Sequence, residues 1–401
     1  MPAFSNRVMA LQPSATIATA MRARALKAEG KPVISLALGQ PDFSTPEVAI
    51  AAAHQFASKG DMGYPPVDGH PLLKRAVQKK FLKENHLAYE LDEITIGNGA
   101  KQLIFNAFMA TVEKGDEVVI PAPYWVGYPL AAGLFGGVPR YALCQEQDGF
   151  RLTAEALQKE LSPATKWVVL NFPNNPTGAV TSLEDMHNIA DVLRRFPQSW
   201  IMCDEIYEHL IYEGVEHFSL AAIAPDLKER ILTLNGVSKA YAMTGWRVGF
   251  AGAPAKLIKA MVKIQGNSTS GVCGVSQVAA AAALEEASEQ VGVMRESYAR
   301  RRALVLRALK EIKGVSCTEP KGAFYIYLGI KDCLGKKTRV GQQVIKTDKD
   351  FATALLEEEF VAMVHGAAFG YSPYLRLSYA TDDASLTEAC LRIKRFVENL
   401  Q

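Results

Sequence analysis

Short apolar runs that alternate with helix-like segments are the feature that most limits the fold of this chain. Six runs are apolar along nearly their whole length, and they cover residues 94–96, 117–120, 167–171, 200–204, 231–235 and 248–251. Helical periodicity fills much of the sequence between them, at residues 101–112, 154–161 and 183–195. Strands without alternating polar residues are buried on both faces, so the pattern predicts an α/β fold with a mostly parallel sheet covered by helices. The last run follows a loop rather than a helix, which leaves its pairing open.

Beyond residue 255 the pattern changes, and strands and helices no longer form a βα series. Helical patterns cover 257–265, 275–287, 290–312 and 350–358, and strand patterns cover 33–38, 323–328 and 374–380. These segments predict a smaller α+β domain. We expect a large domain at residues 46–299 and a small domain built from both chain ends, at residues 1–45 and 300–401. Three consecutive arginines at 300–302 predict a solvated face of the long helix.

Composition argues against several classes of protein. Lys and Arg number 44 against 42 Asp and Glu, so nothing suggests the basic surface of a nucleic-acid-binding protein. The longest small-apolar stretch, residues 278–284, is far shorter than the roughly 20 residues of a membrane span. The N-terminal residues lack the apolar core of a signal peptide. The six cysteines have no metal-ligand spacing, so we expect reduced thiols, no metal and a cytoplasmic protein.

Polar residues close several of the predicted strands. Asn171 and Asp204 end two of them, Asp204 is followed closely by Tyr207, and Lys239 lies in the loop after the strand that ends at residue 235. Arg247 begins the next run. Because ligands of open α/β sheets bind beyond the carboxyl ends of the strands, we expect these groups to converge. Taken singly, each also fits a plain role as a helix cap, a turn residue or a solvated cation.

Jointly, these groups suit a phosphorylated heteroaromatic aldehyde. The amine of Lys239 forms a Schiff base with an aldehyde, and Asp204 holds a ring nitrogen protonated. Arg247, Ser238 and the amides of glycine-rich turns bind a phosphate. Pyridoxal phosphate has these chemical features, and its chemistry requires an acidic partner at the pyridine nitrogen.

Four ordered motifs resemble the signature of class I aminotransferases, which are fold-type I pyridoxal phosphate enzymes. The motifs are Asn175-Pro176-Thr177-Gly178, Asp204-Glu205-Ile206-Tyr207, Ser238-Lys239 and Gly245-Trp246-Arg247-Val248-Gly249. Within the class, segments 12–16, 98–102 and 241–246 are most similar to the bacterial-type aspartate aminotransferases. The resemblance covers nearly the whole chain, and it implies a mostly parallel seven-stranded sheet sandwiched by helices and a homodimer with shared active sites.

The resemblance also implies the roles of individual residues. It makes Lys239 the Schiff-base lysine that moves the substrate's α-proton, Asp204 the partner of the ring nitrogen and Tyr207 a donor to the ring oxygen. The other implied cofactor contacts are Gly99, Ala100, Lys101, Trp125, Asn175, Ser238, Arg247 and, from a second subunit, Tyr64. The implied substrate contacts are Gly39, Trp125, Asn175, Arg376, Lys101, Ser14 and Thr16. Arg376 is expected to bind the α-carboxylate. Some aspartate aminotransferases bind the distal carboxylate with an arginine of the partner subunit, and the corresponding stretch here, residues 265–270, contains no arginine. In the subgroup that this chain resembles, Lys101, with Ser14 and Thr16, is expected to take that role.

The implied activity is transfer of an α-amino group, best between L-aspartate or L-glutamate and a 2-oxo acid, by a ping-pong mechanism. Transfer to prephenate or aromatic oxo acids, and a pyridoxal-phosphate-dependent lyase, stay open as alternatives. A DNA-binding regulator that carries such a domain would need a long N-terminal module, and here the first motif begins near residue 12. Gly236 stands where the family often has a serine, which predicts one phosphate contact fewer.

Overall fold

Helices and strands alternate through the computed structural model, which describes residues 4–9, 11, 14–60 and 62–401. The helices are α1 Asn6–Met9, α2 Ala15–Ala28, α3 Glu47–Ala57, α4 Pro71–Asn85, α5 Ala100–Thr111, α6 Gly127–Leu134, α7 Ala154–Glu160, α8 Leu183–Arg194, α9 Leu220–Ile223, α10 Ala255–Gly266, α11 Gly274–Glu286, α12 Ser288–Lys310, α13 Asp348–Glu359 and α14 Asp383–Glu398. The strands are β1 Ile34–Ser35, β2 Ile94–Gly97, β3 Glu117–Ala122, β4 Val138–Leu143, β5 Thr165–Asn171, β6 Trp200–Asp204, β7 Ile231–Gly236, β8 Gly249–Gly252, β9 Ser316–Cys317, β10 Tyr325–Gly329, β11 Val361–Ala362, β12 Val364–His365 and β13 Tyr374–Ser378.

Seven of these strands form the central sheet, in the order β2-β8-β7-β6-β5-β3-β4. The pairs from β7 to β4 are parallel, whereas β8 is antiparallel to both β7 and β2. This resolves the pairing of the last apolar run, whose loop connection permits an antiparallel neighbour. The register places Asn171 opposite Asp204 at the carboxyl ends of β5 and β6. The predicted α/β fold is therefore confirmed, and its strand ends bring the polar residues to one edge.

Helices on both faces bury the sheet. Helix α8 illustrates why the sequence folds this way: Ser182 caps its first turn by accepting from the Asp185 amide at 3.0 Å, and an apolar stripe that includes Ile189 and Leu193 is buried. The ring of Phe108 on α5 packs edge-to-face against Trp167 of β5 at 5.7 Å between centroids. Burial of each such side chain contributes about 1.5–3 kcal/mol to folding stability. The helices therefore hold the sheet in place, and the sheet in turn positions the residues at its edge.

The C-terminal part of the chain builds a second, antiparallel sheet, in the order β12-β13-β10-β9. The N-terminal strand β1 pairs in parallel with β11, so segments from both parts of the chain meet here. The division into domains at residues 46–299, and at 1–45 with 300–401, stays a proposal. Its second boundary falls within α12, which runs from Ser288 to Lys310 without a break.

Two sequence expectations differ from the structure. Strand β4 is absent from the apolar runs because it lies at the sheet edge, where several of its side chains face solvent. The expected solvated face at 300–302 is wrong for two of its arginines: Arg301 pairs with Asp42 at 2.8 Å and Arg302 donates to the Pro320 carbonyl at 2.9 Å, both largely buried. Among the described residues, no helix is both long and apolar enough to cross a membrane.

Candidate active site

The loop after β5 is tied to the end of β6. Asn171 Nδ2 donates to the Asp204 carbonyl at 2.9 Å, and Asn171 Oδ1 accepts from the Asn175 amide at 3.1 Å. The buried side chain of Asn171 thus holds both the backbone at the end of β6 and the backbone of Asn175 in place. The site residues of two successive loops are held relative to each other by this contact.

Lys239 follows β7 and turns its side chain toward the N-terminal segment of the chain. Its Nζ donates to the carbonyl of Gly39 at 2.6 Å. Burial, together with the neighbouring cations Arg376 and Arg247, lowers the pKa of Lys239 to about 8 against the opposing charge of Asp204. An amine with such a pKa is neutral in a large fraction of molecules near pH 8, so it is a competent nucleophile and base.

Asp204 lies buried at the end of β6. One carboxylate oxygen, Oδ2, accepts from the hydroxyl of Tyr128 at 2.5 Å, and Oδ1 accepts from the Ile206 amide at 3.3 Å. Burial raises the pKa of Asp204, the hydrogen bond from Tyr128 lowers it, and the net pKa is about 6. The carboxyl group is therefore mostly ionised at neutral pH. Its Oδ1 atom accepts only the longer of the two hydrogen bonds.

Tyr207 and Tyr325 form a buried pair between the two sheets. Their hydroxyl oxygens are 2.8 Å apart, and burial raises the pKa of Tyr207 well above its ordinary value. A Cβ on Gly39 would come within 2.2 Å of the Tyr325 hydroxyl oxygen. Glycine at position 39 is therefore required for the close approach that lets its carbonyl meet Lys239.

Arg376 on β13 is the buried guanidinium of the site. Its Nη1 donates to Asn175 Oδ1 at 3.0 Å and its Nη2 to the Ala37 carbonyl at 2.5 Å. Its central carbon lies 4.7 Å from the ring centroid of Tyr325 and 4.9 Å from that of Phe369. Nε has no hydrogen-bond partner among the described residues. A planar cation held between two rings with a free donor is suited to a carboxylate.

An anion cradle forms where α5 begins. Gly99 caps this twelve-residue helix with a φ of 79°, so the first amides of α5 are free to bind an anion. Arg247 donates from Nη2 to the Asn98 carbonyl at 3.2 Å, and a Cβ on Gly99 would come within 2.4 Å of that nitrogen. Ser238 is buried beside Lys239. Gly236 has no room for a side chain, since its Cβ would come within 2.9 Å of the Val248 carbonyl oxygen.

Lys101 and Trp125 are neighbours at the mouth of this cradle. Lys101 Nζ lies 5.1 Å from the ring centroid of Trp125, a distance at which the cation is attracted to the ring face. Burial lowers the pKa of Lys101, and Arg247 lowers it further. The ring of Trp125 also packs edge-to-face against that of Tyr128, with 5.1 Å between centroids. Lys101, Trp125 and Tyr128 therefore form one side of the site, and Tyr128 connects it to Asp204.

Three predicted residues lie at the margin of the site. Tyr64 is 98% exposed, and no hydrogen bond joins it to a site residue in the described part of its own chain. Ser14 lines a cavity of about 820 Å³ together with Tyr124 and Val126, the neighbours of Trp125. Thr16 is half-buried on α2, and no hydrogen bond joins it to Lys101 in the part of the chain that the structure describes.

Comparison with known proteins decides which family this arrangement belongs to. The family described as aminotransferase class I and II matches residues 31–393. The chain belongs to this family. The aspartate aminotransferase of Rhizobium meliloti is 47% identical over 99% of this chain and 96% of its own length. The aspartate/prephenate aminotransferase of Cereibacter sphaeroides is 48% identical over 99% of each chain.

Solved structures agree with this family. The crystal structure of the aspartate aminotransferase from Rhizobium meliloti matches with a TM-score of 0.97 at 46% identity, covering 100% of both chains. The aspartate aminotransferase from Thermus thermophilus with maleate matches with a TM-score of 0.92 at 38% identity, covering 99% of this chain and 100% of its own. The predicted family and fold are confirmed, and the chain is an enzyme of the aminotransferase class.

Two tyrosines of this aminotransferase escaped sequence reasoning. Tyr128 donates to Asp204, and Tyr325 pairs with Tyr207 and stacks on Arg376. The available signal for Tyr128 was its spacing: it lies one helical turn after Trp125, and its amide donates to the Trp125 carbonyl at 3.1 Å. Tyr325 lies on β10 in the second sheet, and no local sequence pattern connects it to the large sheet.

Proposed function

We propose that this chain is a pyridoxal-phosphate-dependent aminotransferase that moves the α-amino group between L-aspartate or L-glutamate and a 2-oxo acid. The observation that carries the proposal is the convergence of one partly buried amine, Lys239, with one buried carboxylate, Asp204, and one buried guanidinium, Arg376. The site-residue roles given by the family resemblance are part of this proposal.

The donor set suits pyridoxal phosphate. The free amides at the start of α5 and the guanidinium of Arg247 form a cradle that a Cβ on Gly99 would fill, and that cradle suits a phosphate. Asp204 suits the ring nitrogen, and Tyr207 and Asn175 suit the ring oxygen. When bound, the cofactor supplies a carbonyl that condenses with amines and a ring that accepts electron density.

Each protein group then has a defined task. Lys239, with its lowered pKa, accepts the proton from the substrate's α-carbon and returns it at the neighbouring carbon, a contribution of about 10²–10⁴-fold to the rate. Asp204 holds the ring nitrogen's proton. Arg376 binds the α-carboxylate with its forked donors, and Trp125 covers one face of the site and excludes water from it.

Aspartate and glutamate as substrates rest on Lys101 and on the relatives. The exposed Lys101 side chain lies beside Trp125, and its cation has no carboxylate partner among the described residues, so a distal carboxylate of the substrate would supply one. Relatives of 47–48% identity are named aspartate aminotransferase and aspartate/prephenate aminotransferase. The second of these names supports prephenate as an alternative amino-group acceptor.

The activity is tested by following one amino group. Cofactor-loaded protein mixed with L-aspartate alone should release one equivalent of oxaloacetate per site and then stop. Turnover should resume only when 2-oxoglutarate is added, and the absorbance of the cofactor should shift in each half-reaction. Continuous product release without an acceptor would instead identify a lyase.

We further propose a homodimer whose two sites each take Tyr64 from the partner subunit. Almost complete exposure of this aromatic side chain in one chain supports the idea. Its loop packs beside the turn after α10, where a Cβ on Gly271 would come within 2.8 Å of the Pro66 carbonyl oxygen. That turn is bound to the cradle, because Gln102 Nε2 donates to Thr269 Oγ1 at 2.6 Å. The loop of Tyr64 therefore borders the phosphate end of the site.

Mixing two impaired variants tests this sharing. Tyr64→Ala and Lys239→Ala subunits, combined by dissociation and reassociation, form a hybrid with one wild-type site only if Tyr64 acts across the interface. Activity should rise above that of either variant alone. Activity that stays at the level of the separate variants would mean that Tyr64 acts in the site of its own chain or in neither site.

We also propose a cytoplasmic location for this protein. All six cysteines are free thiols, which suits the reducing environment of the cytoplasm.

A further inference from the structure

A cluster of buried charges lies next to Asp204 and takes no part in the proposed reaction. Glu205 and Glu208 are only 4% and 5% exposed, and Lys80 of α4 is 4% exposed. Burying charges in a protein costs several kcal/mol per ion unless partners compensate them. The contacts of each carboxylate therefore indicate how the cluster is balanced.

Glu208 is fully compensated. It accepts from Lys80 Nζ, from Asn85 Nδ2 at 2.6 Å and from Asn235 Nδ2 at 2.6 Å. These contacts hold the pKa of Glu208 well below its ordinary value although burial opposes them. One cation and two amides thus satisfy the first carboxylate, and the charge of Lys80 is used there.

Glu205 has no such cation unless His217 supplies one. Its Oε2 accepts from Ser219 Oγ at 2.7 Å and, at 3.3 Å, from Asn85 Nδ2. His217 Nε2 lies 3.3 Å from the same oxygen, close enough for an ion pair but not aligned as a hydrogen bond. With His217 neutral, the charges of Glu205, Glu208 and Lys80 sum to −1, and protonation of His217 brings these four groups to neutrality. Two partly exposed groups adjoin them on the far side from His217: Glu84 lies 3.6 Å from Lys80, and His209 lies 3.6 Å from Glu208.

The surroundings of His217 favour its protonated form. Glu205 and Glu208 face it at 3.3 and 3.9 Å, and Lys80 is the opposing cation. Burial acts to lower the pKa of His217, but the two carboxylates raise it above its ordinary value. Two small cavities flank the ring, and the other polar or titratable groups that line them are Cys203, Asp204, Thr181 and Glu216.

Asp204 is coupled to this cluster by position. It precedes Glu205 in the chain, and it lines with Glu205 and His217 one small cavity of about 10 Å³, close to the volume that one water needs. The charge of Glu205 raises the pKa of Asp204, whereas Lys239 and the hydroxyl of Tyr128 lower it. An uncompensated Glu205 therefore disfavours the anion that the cofactor's ring nitrogen requires.

We propose that His217 is a positioning residue that acts through Glu205: as a cation it cancels the charge of Glu205 and so keeps Asp204 ionised for the cofactor. The inference rests on the proposed function, because it assigns Asp204 to the ring nitrogen. His217 touches neither cofactor nor substrate in this role. Its effect is electrostatic and reaches the reaction only through Asp204.

The test is the pH dependence of pyridoxal phosphate affinity for cofactor-free protein, followed by absorbance and fluorescence. Affinity falls at low pH where Asp204 becomes protonated, and the midpoint of this acid limb reports its pKa. His217→Asn should move the midpoint upward by about one pH unit. His217→Asn combined with Glu205→Gln should return it to the wild-type position, and Glu205→Gln alone should not raise it.

The exposed His187 on α8 provides a matched control, and His187→Asn should leave the midpoint unchanged. A uniform loss of affinity in His217→Asn, with an unmoved midpoint, would overturn the inference as a structural effect. So would a shift that Glu205→Gln fails to reverse. Absence of cofactor binding by the wild-type protein would instead refute the proposed function.

If His217→Asn does not fold, histidine NMR tests the ion pair between His217 and Glu205 on which the inference depends. The chain has seven histidines, and one imidazole should titrate at a lower pH in Glu205→Gln than in the wild-type protein. Seven unchanged titrations would overturn the proposal.

Discussion

Replacing Arg376 with lysine keeps the positive charge of the site but removes its forked pair of donors. In the structure one arm of the guanidinium donates to Asn175 Oδ1 at 3.0 Å and the other to the Ala37 carbonyl at 2.5 Å, while the side chain lies between two aromatic rings. A single ammonium cannot reproduce this geometry and also bind a carboxylate with two parallel hydrogen bonds.

The size of the effect follows from these contacts. One lost hydrogen bond to a charged carboxylate costs about 1.5–3 kcal/mol, which lowers kcat/KM by about 10- to 160-fold at 1.36 kcal/mol per tenfold. An unpaired buried acceptor at Asn175 or Ala37 costs a further ~1–3 kcal/mol of folding stability. Thermal unfolding of Arg376→Lys should therefore begin at a lower temperature than that of the wild-type protein.

Steady-state kinetics with L-aspartate and L-alanine is the assay. Both substrates carry the α-carboxylate, so Arg376→Lys should lower kcat/KM for both by a similar factor. Arg194→Lys is the control, because it changes a forked pair with Asp226 at the surface, where such pairs are worth about 0–1 kcal/mol. The reasoning is refuted if Arg376→Lys keeps full activity, or if the loss is confined to L-aspartate.

Three further predictions concern the neighbours of the cofactor. Lys101→Ala should lower kcat/KM for L-aspartate far more than for L-alanine, and equal losses would rule out its role at the distal carboxylate. Tyr128→Phe removes a hydrogen-bond donor that lowers the pKa of Asp204. The affinity for pyridoxal phosphate should therefore fall about tenfold at pH 7 and recover at pH 9, where Asp204 is ionised in both proteins. A loss of equal size at both pH values would contradict this. Asp204 has a folded pKa of about 6 against an ordinary 3.8, so ionisation destabilises the cofactor-free fold as pH rises through that window. Asp204→Asn should therefore raise the melting temperature more at pH 8 than at pH 5, and an equal rise at both would argue against a buried, strained carboxylate.

Much of the large sheet could be predicted because its strands are apolar on both faces. All six apolar runs are strands, and the polar residues that close them lie together at one edge as the rule for α/β sheets requires. The edge strand β4 could not be found in this way, since solvent exposure removes the apolar signal from several of its positions. The sequence of β4 carries no distinctive strand pattern, and the strand is stabilised by its pairing with β3.

The polar partners of the site residues were harder to predict. Lys80 lies buried on a helix and pairs with Glu208, which is 128 positions away in the sequence. A lysine in a helical pattern ordinarily indicates a solvated surface, and nothing local distinguishes this one. The same holds for Arg301 and Arg302, whose partners come from distant loops. Long-range packing decides these contacts, whereas the motif residues depend on strand ends that are visible locally.

The most direct test of the whole account is the spectrum and turnover of Lys239→Ala with pyridoxal phosphate and L-aspartate. The wild-type protein should bind the cofactor covalently, with an absorbance band that changes with pH as the linked nitrogen of Lys239 gains or loses its proton. The Lys239→Ala variant should still bind the cofactor in the cradle beside Arg247 but form no covalent link, and its turnover should fall by several orders of magnitude. Turnover at the wild-type rate without Lys239 would contradict the central claim that this amine moves the proton.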